Sequence, residues 1–196
     1  GSVFLKEELE AISKVVLKHD NIYVIADEIY EHINFTGQHA SMAALPGMFD
    51  RTITINGVAK GFAMTGWRVG YIGAPTWIAK GCTKMQGQIT SANCSIAQRA
   101  TLTALTTDLG PTKKMAEAYL QRRGMVHKLL QDIPGVITNM PTGAFYFFPD
   151  VSSYFGKTDG NVTINNASDL CIYILENAHV SLVTGEAFGE PKCIRI

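Results

Sequence analysis

NGVAKGFAMTGWRVGY, residues 56–71, sets one lysine, Lys60, among glycines and small residues, with Arg68 eight positions on. Val58, Ala59, Phe62, Ala63 and Met64 surround it, where a lysine on a solvated face has charged neighbours. An ammonium held among apolar groups is destabilised, so its pKa falls and the neutral amine becomes available as nucleophile or base. A solvated lysine in a glycine turn is the plainer alternative, and from these residues alone the better one. The stretch lies between two strand candidates, 52–58 (TITINGV) and 69–74 (VGYIGA). Upstream, residues 5–18 place Leu5, Leu9, Ile12, Val15 and Val16 at helical spacing, which predicts an amphipathic helix. His19-Asp20-Asn21 breaks it, and the apolar run Tyr23-Val24-Ile25-Ala26 follows. A helix leading into such a run predicts a buried parallel strand in an α/β sheet.

Residues 77–90, 95–107 and 112–131 read as helices, the last with Met115, Ala118, Val126, Leu129 and Leu130 on its apolar side. Beyond Pro134 the pattern changes. PGVITNM (134–140), GAFYFFP (143–149) and HVSLVTG (179–185) read as strands, and 168–178 as a helix with Ser168 as its N-cap. We therefore expect two domains, 1–110 and 111–196, the second a smaller α+β unit that begins with the joining helix.

Hydrophobic residues make up 46% of the 196-residue chain and charged residues 17%, which supports a substantial core and argues against disorder. Seventeen basic residues balance seventeen acidic ones, and no basic run exceeds Arg122-Arg123, so neither nucleic acid nor a membrane surface is the expected partner. Cys82, Cys94, Cys171 and Cys193 lack paired spacing and read as reduced thiols of a cytoplasmic protein. The five histidines are equally dispersed, so no metal site is expected. No apolar run reaches membrane-spanning length, and no signal peptide opens the chain. The last residues, CIRI, read as the interior of a strand, and the opening GSVF is either a tag scar or native sequence. We expect the chain to be a piece of a longer protein.

Asp27 closes the first apolar run, and in open α/β sheets ligands sit outside the carboxyl ends of the strands. The carboxylate either meets such a ligand or caps the next turn. Tyr30, in the loop beyond, either joins it or packs. Arg68 suits a phosphate through its planar fork of donors, or it forms a structural ion pair. Trp67 reads as a core residue. Neither a G-x-G-x-x-G nor a G-x-x-x-x-G-K-[ST] pattern is present, and there is no G-x-S-x-G elbow, so dehydrogenase, P-loop and hydrolase readings have no support.

Taken together, Gly57-Val58-Ala59-Lys60, Ala63-Met64, Gly66 and Arg68-Val69-Gly70 resemble the lysine signature of class I aminotransferases, pyridoxal 5'-phosphate enzymes of fold type I related to aspartate aminotransferase. Three further stretches agree in order. YVIADEIYEHI (23–33) resembles the strand and loop bearing the family's cofactor-binding Asp and Tyr. PTGAFYFFPD (141–150) resembles its small-domain strand after the long helix, and VTGEAFGEPKCIRI (183–196) the segment ending in the Arg that grips the substrate carboxylate. The resemblance implies an α/β chain: part of a large domain with a mostly parallel sheet, plus most of a small α+β domain.

By the same resemblance, Lys60 is the Schiff-base lysine and carries the proton during catalysis. Asp27 faces the pyridine nitrogen, Tyr30 the ring's 3-oxygen and Arg68 the cofactor phosphate, while Arg195 holds the substrate α-carboxylate. The implied function is amino-group transfer between an amino acid, with aspartate the candidate, and a 2-oxo acid, in a homodimer. A lyase of the same fold and cofactor is the alternative, as is a purely structural fragment. Some relatives carry a phosphate-contacting Ser where this chain has Gly57. Relatives are also roughly twice as long. The part without a counterpart here would carry a phosphate-binding turn, a ring stacked on the cofactor and an Asn at its 3-oxygen. We therefore expect the chain alone to be inactive and to self-associate.

Overall fold

In the computed structural model, which describes residues 1–196, β1 (Val24–Asp27) runs parallel to β2 (Thr52–Gly57), and β3 (Gly70–Gly73) runs antiparallel to β2. The register is Val24↔Thr52 through Asp27↔Ile55 on one side of β2 and Thr54↔Gly73 through Gly57↔Gly70 on the other. The chain divides into two compact units, Val3–Glu117 and Ala118–Ile196 with Gly1–Ser2. The division falls inside α4 (Gly110–Gln131).

In the first unit, α1 (Lys6–Val16) forms as the spacing predicts, but only Leu9 and Val16 of the expected stripe turn inward, with Ser13 between them, while Leu5, Ile12 and Val15 are exposed. Leu9 and Val16 form one core with Met42, Leu45 and Met48 from the crossover between β1 and β2, against which Val24, Ala26 and Ala40 pack. Full burial of a side chain such as Met48 contributes about 1.5–3 kcal/mol. Glu8 caps the helix start by accepting from the Leu5 N–H at 2.7 Å. Arg51 ties the α1–β1 loop down, donating to the His19 and Ile22 carbonyls at 2.8 and 3.0 Å and reaching Asp20 at 3.4 Å.

The expectation of a fully buried β1 is corrected: Ile25 is 70% exposed, because alternate strand residues point to opposite faces and this unit covers only one of them. Trp67 is likewise 46% exposed rather than a core residue, since it ends a surface 3-10 turn, Thr65–Trp67. The helices expected over 77–90 and 95–107 appear as α2 (Thr76–Ile89) and α3 (Ser95–Thr106).

In the second unit, α5 (Ala167–Ala178) packs Ala167 and Leu170 against Val151, Ile164 and Ile194. Its N-cap is Asn166, not Ser168: the Asn166 side chain accepts from the Asp169 N–H at 2.9 Å, and Ser168 lies in the first turn with its hydroxyl donating to Glu186 at 3.3 Å. The left-handed backbone of His179, φ 57°, ends the helix, so the strand expected over 179–185 contracts to β6 (Val183–Thr184), antiparallel to β7 (Ile194–Arg195). PGVITNM retains a single bridge, Ile137↔Asp150. GAFYFFP is extended only in its second half. Phe147 and Ile196 exchange both backbone hydrogen bonds at 3.1 Å, and Ile194 N–H donates to the Pro149 carbonyl at 3.1 Å. Pro149 has no N–H to continue the ladder and Ala144 sits at φ 58°, which together prevent a regular strand.

A hairpin the sequence reading did not foresee, β4 (Thr158–Asp159) with β5 (Val162–Thr163), turns through Gly160 at φ 57°. On α4, Leu130 is buried but Leu129 is 58% exposed, so the apolar stripe is narrower than expected. Removing the cap of α5 tests the assignment above. Asn166→Ala should lower unfolding stability by about 1 kcal/mol in a urea titration, and Ser168→Ala by less.

Candidate active site

Because β1 and β2 are parallel, their carboxyl ends lie on one edge of the sheet, and because β3 is antiparallel to β2, its start lies there too. Asp27 is the last residue of β1. Lys60 follows β2 by three residues, and Arg68 precedes β3 by two. The pairing therefore brings to one edge a carboxylate, an amine and a guanidinium that are far apart in sequence. Tyr30 joins them from the turn after β1, closed by the Ile33 N–H donating to its carbonyl at 2.8 Å. Lys60 Nζ lies 6.0 Å from the centroid of the Tyr30 ring.

Each group is held by its own local structure. The Glu28 N–H continues the parallel ladder by donating to the Ile55 carbonyl at 2.9 Å. The Glu28 carboxylate then fixes the following loop: the Ser41 hydroxyl donates to it at 2.8 Å and His39 Nε2 lies 2.9 Å away. Asp27 does cap its turn, with Oδ1 accepting from the Ile29 N–H at 3.2 Å, which leaves Oδ2 without a protein donor on an exposed carboxylate. The cap and the ligand roles weighed for this residue are thus compatible.

Lys60 is half-buried at the head of a turn in which Ala63 N–H donates to its carbonyl at 3.0 Å and Met64 N–H to that of Val58 at 3.2 Å. Ala63 takes a positive φ, 53°, to close the turn. The His32 ring presses on the backbone just beyond the lysine: a Cβ on Gly61 would lie 2.8 Å from its Cδ2, and the ring meets Phe62 edge-on at 5.3 Å. Arg68 is exposed, with a left-handed backbone at φ 55°. Its Nη1 donates to the Thr65 carbonyl at 2.9 Å, and the Asn93 side-chain amide donates to the Arg68 carbonyl at 3.3 Å. No carboxylate pairs with it, so the ion-pair alternative does not apply.

Gly57 has a packing reason to be glycine. A Cβ there would lie 2.9 Å from the Val69 carbonyl oxygen and 3.1 Å from Gly70 Cα, at the last rung of the β2–β3 pair.

Arg195 belongs to the second unit and is described within it. It is half-buried on β7, with Cζ lying 4.7 Å from the centroid of the Tyr146 ring and 4.7 Å from that of Phe188. None of the structure's ion pairs includes it. Sequence reasoning singled out neither ring, nor the Glu28 lock, nor His32. The aromatic density of GAFYFFP was the available signal for Tyr146, whereas Phe188 reaches the arginine only through the folding of 185–195.

The family model for aminotransferases of class I and II matches residues 1–196. The chain is 46% identical over 201 residues to a bifunctional aspartate aminotransferase and glutamate/aspartate-prephenate aminotransferase of Petunia hybrida, covering 100% of this chain and 42% of that one. It is also 46% identical over 201 residues to an aspartate aminotransferase of Pinus pinaster, of which it covers 41%. Among solved structures it is similar to an aspartate aminotransferase from Rhizobium meliloti, with a TM-score of 0.92 at 36% identity, over 100% of this chain and 50% of that one. The chain spans about half the length of the curated relatives it matches.

The tight rung at Gly57 gives a direct check on the edge. Gly57→Ala should destabilise the protein by about 1–3 kcal/mol, since the contact it creates is with backbone that cannot rotate away. A urea midpoint equal to that of the parent would show that β2 and β3 do not approach so closely.

Proposed function

The chain belongs to the class I and II aminotransferase family, and from that premise we propose that the protein transfers an amino group between an amino acid and a 2-oxo acid with pyridoxal 5'-phosphate as its cofactor. The observation that carries this reading is the gathering of Asp27, Tyr30, Lys60 and Arg68 on one sheet edge, with Lys60 Nζ over the Tyr30 ring at 6.0 Å. Their chemistry suits the cofactor group by group. Asp27 offers an open carboxylate oxygen to a protonated ring nitrogen, Tyr30 a phenol to a ring oxygen, Lys60 an amine to an aldehyde, and Arg68 a guanidinium to a phosphate.

When bound, the cofactor supplies an electron sink for the charge released at the substrate α-carbon. The protein's own part is orientation and proton management. Asp27 would keep the ring nitrogen protonated through a charge-assisted hydrogen bond. Lys60 would hold the cofactor covalently at rest, and its freed amine would carry the proton between the substrate α-carbon and the cofactor's aldehyde carbon. The Tyr30 ring beside that amine would restrict its path and donate a hydrogen bond to the ring oxygen. Arg195 would hold the α-carboxylate shared by amino-acid and oxo-acid substrates.

The names of the relatives support aspartate as the first substrate to test. A second copy of the chain is the partner in this reading, supported by the exposed apolar side chains Trp77, Met85 and Ile89 on α2 and Ile96 and Leu102 on α3. The four free cysteines support a reducing, cytoplasmic setting.

Borohydride reduction of the cofactor-loaded full-length protein, followed by peptide mass mapping, should place the pyridoxyl group on Lys60. Label on Lys80 or Lys84 instead would overturn the assignment. In the full-length protein, Asp27→Ala should lower turnover at least about 10- to 150-fold, the equivalent of losing a hydrogen bond to a charged group worth about 1.5–3 kcal/mol. Near-normal turnover in that variant would refute its role.

A further inference from the structure

We propose that Tyr146 and Phe188 are positioning residues that seat the Arg195 guanidinium for a carboxylate, an inference that rests on reading Arg195 as the α-carboxylate clamp. Arg195 Cζ lies 4.7 Å from the centroid of each ring, and no carboxylate of the protein pairs with the guanidinium. Both rings are braced by further rings of the same unit. Phe188 meets Phe148 edge-on, with centroids 5.8 Å apart and planes at 90°. Tyr146 lies against Phe145 at 4.7 Å, and Phe145 stacks on Tyr119 at 5.2 Å. A guanidinium placed between Tyr146 and Phe188 thus forms one member of a continuous aromatic series from Tyr119 to Phe148.

The backbone fixes the base of the side chain as firmly. Arg195 is registered against Val183 on β6, and its neighbour Ile196 exchanges both hydrogen bonds with Phe147. The turn carrying Phe188 is closed by the Gly185 N–H donating to the Cys193 carbonyl at 2.7 Å. A Cβ on Gly185 would overlap the Glu190 and Cys193 carbonyls, so only glycine permits this closure.

A free arginine side chain must surrender rotamer freedom when it binds, which weakens binding. An acidic partner would order it but would occupy the N–H donors that a ligand needs. Ring faces order it by attraction to the cation and supply no oxygen acceptor, so the donors stay available. Aromatic seating is therefore the means of holding an arginine ready for an anion, whereas an ion pair would hold it closed. The ligand class that follows is a carboxylate, planar and able to take two parallel N–H donors.

The test uses the cofactor-loaded full-length protein, with succinate binding measured by calorimetry and steady-state kinetics on aspartate and 2-oxoglutarate. Phe188→Leu should weaken succinate binding and raise KM for both substrates roughly three- to thirtyfold, the range of cation–π contacts from exposed to desolvated. The loss should fall on KM rather than kcat, with the cofactor absorption band and Tm close to those of the parent. Phe188→Tyr should restore affinity, which a merely space-filling role would not require. Tyr146→Leu, acting on the other ring, should give the same shift, and it decides the matter if Phe188→Leu does not fold. Unchanged succinate affinity in both leucine variants would overturn the proposal, as would failure of the tyrosine variant to rescue. Arg195→Lys separates the two layers: if it leaves succinate binding intact, the clamp reading itself fails. If it weakens binding while the leucine variants do not, only the positioning role fails.

Discussion

The arrangement of the first unit depends on the pairing of β2, parallel to β1 on one side and antiparallel to β3 on the other. A shift of one residue in either register would turn alternate side chains to the opposite face and carry the flanking loops with them. The β2–β3 register is pinned where Gly57 faces Gly70, because neither residue holds the strands apart and a Cβ on Gly57 would strike the Val69 carbonyl. That close approach makes Val58 and Val69 neighbours, joined by a hydrogen bond of 3.4 Å, and sets the loop bearing Lys60 and Arg68 at the mouth of the pair. On the other side, Asp27 opposite Ile55 ends β1 level with the same mouth. A single strand thus fixes where three of the four candidate cofactor groups stand, and Glu28, held by Ser41 and His39, fixes the loop of the fourth, Tyr30.

Much of this was legible in the sequence where one period dominates. The spacing of Leu5, Leu9, Ile12, Val15 and Val16 reads as a helix, and the runs closed by Asp27 and Val58 read as strands, because local preference favours those elements there, even though only Leu9 and Val16 of the helix stripe are buried. The signal failed in the second unit, where the extended segments pair through interrupted ladders. GAFYFFP is rich in strand-forming residues, yet Ala144 in the left-handed region and Pro149 without an N–H leave it only a few rungs. The hairpin at Asp159-Gly160-Asn161 had a visible turn signal but strands too short to carry a pattern. The site residues were named by resemblance to a family signature. The edge that gathers four of them is a property of sheet pairing that no local window contains.

The pairing of rings around Arg195 was invisible for a related reason. Tyr146 and Phe188 come from segments brought together only by the Phe147–Ile196 rungs and the β6–β7 pair. Each ring taken alone reads as core material, and Phe147 beside Tyr146 is indeed buried. What distinguishes Tyr146 and Phe188 is the cation between them.

Three arginines of this chain illustrate how a guanidinium's surroundings indicate its use. Arg51 uses its donors on the His19 and Ile22 carbonyls and on Asp20, so it joins two pieces of backbone and has little left to offer a ligand. Arg68 commits Nη1 to the Thr65 carbonyl and remains exposed, steadied by one contact with its outer donors toward solvent. Arg195 commits none of its side-chain donors to an oxygen of the protein, although it is half-buried. A buried charge without a counter-ion is costly, and ring faces offset only part of that cost. An acidic side chain in place of either ring would offset more, but it would also close the arginine to ligands. The departure from the more stabilising solution is the physical argument that Arg195 is kept for an anion from outside the chain.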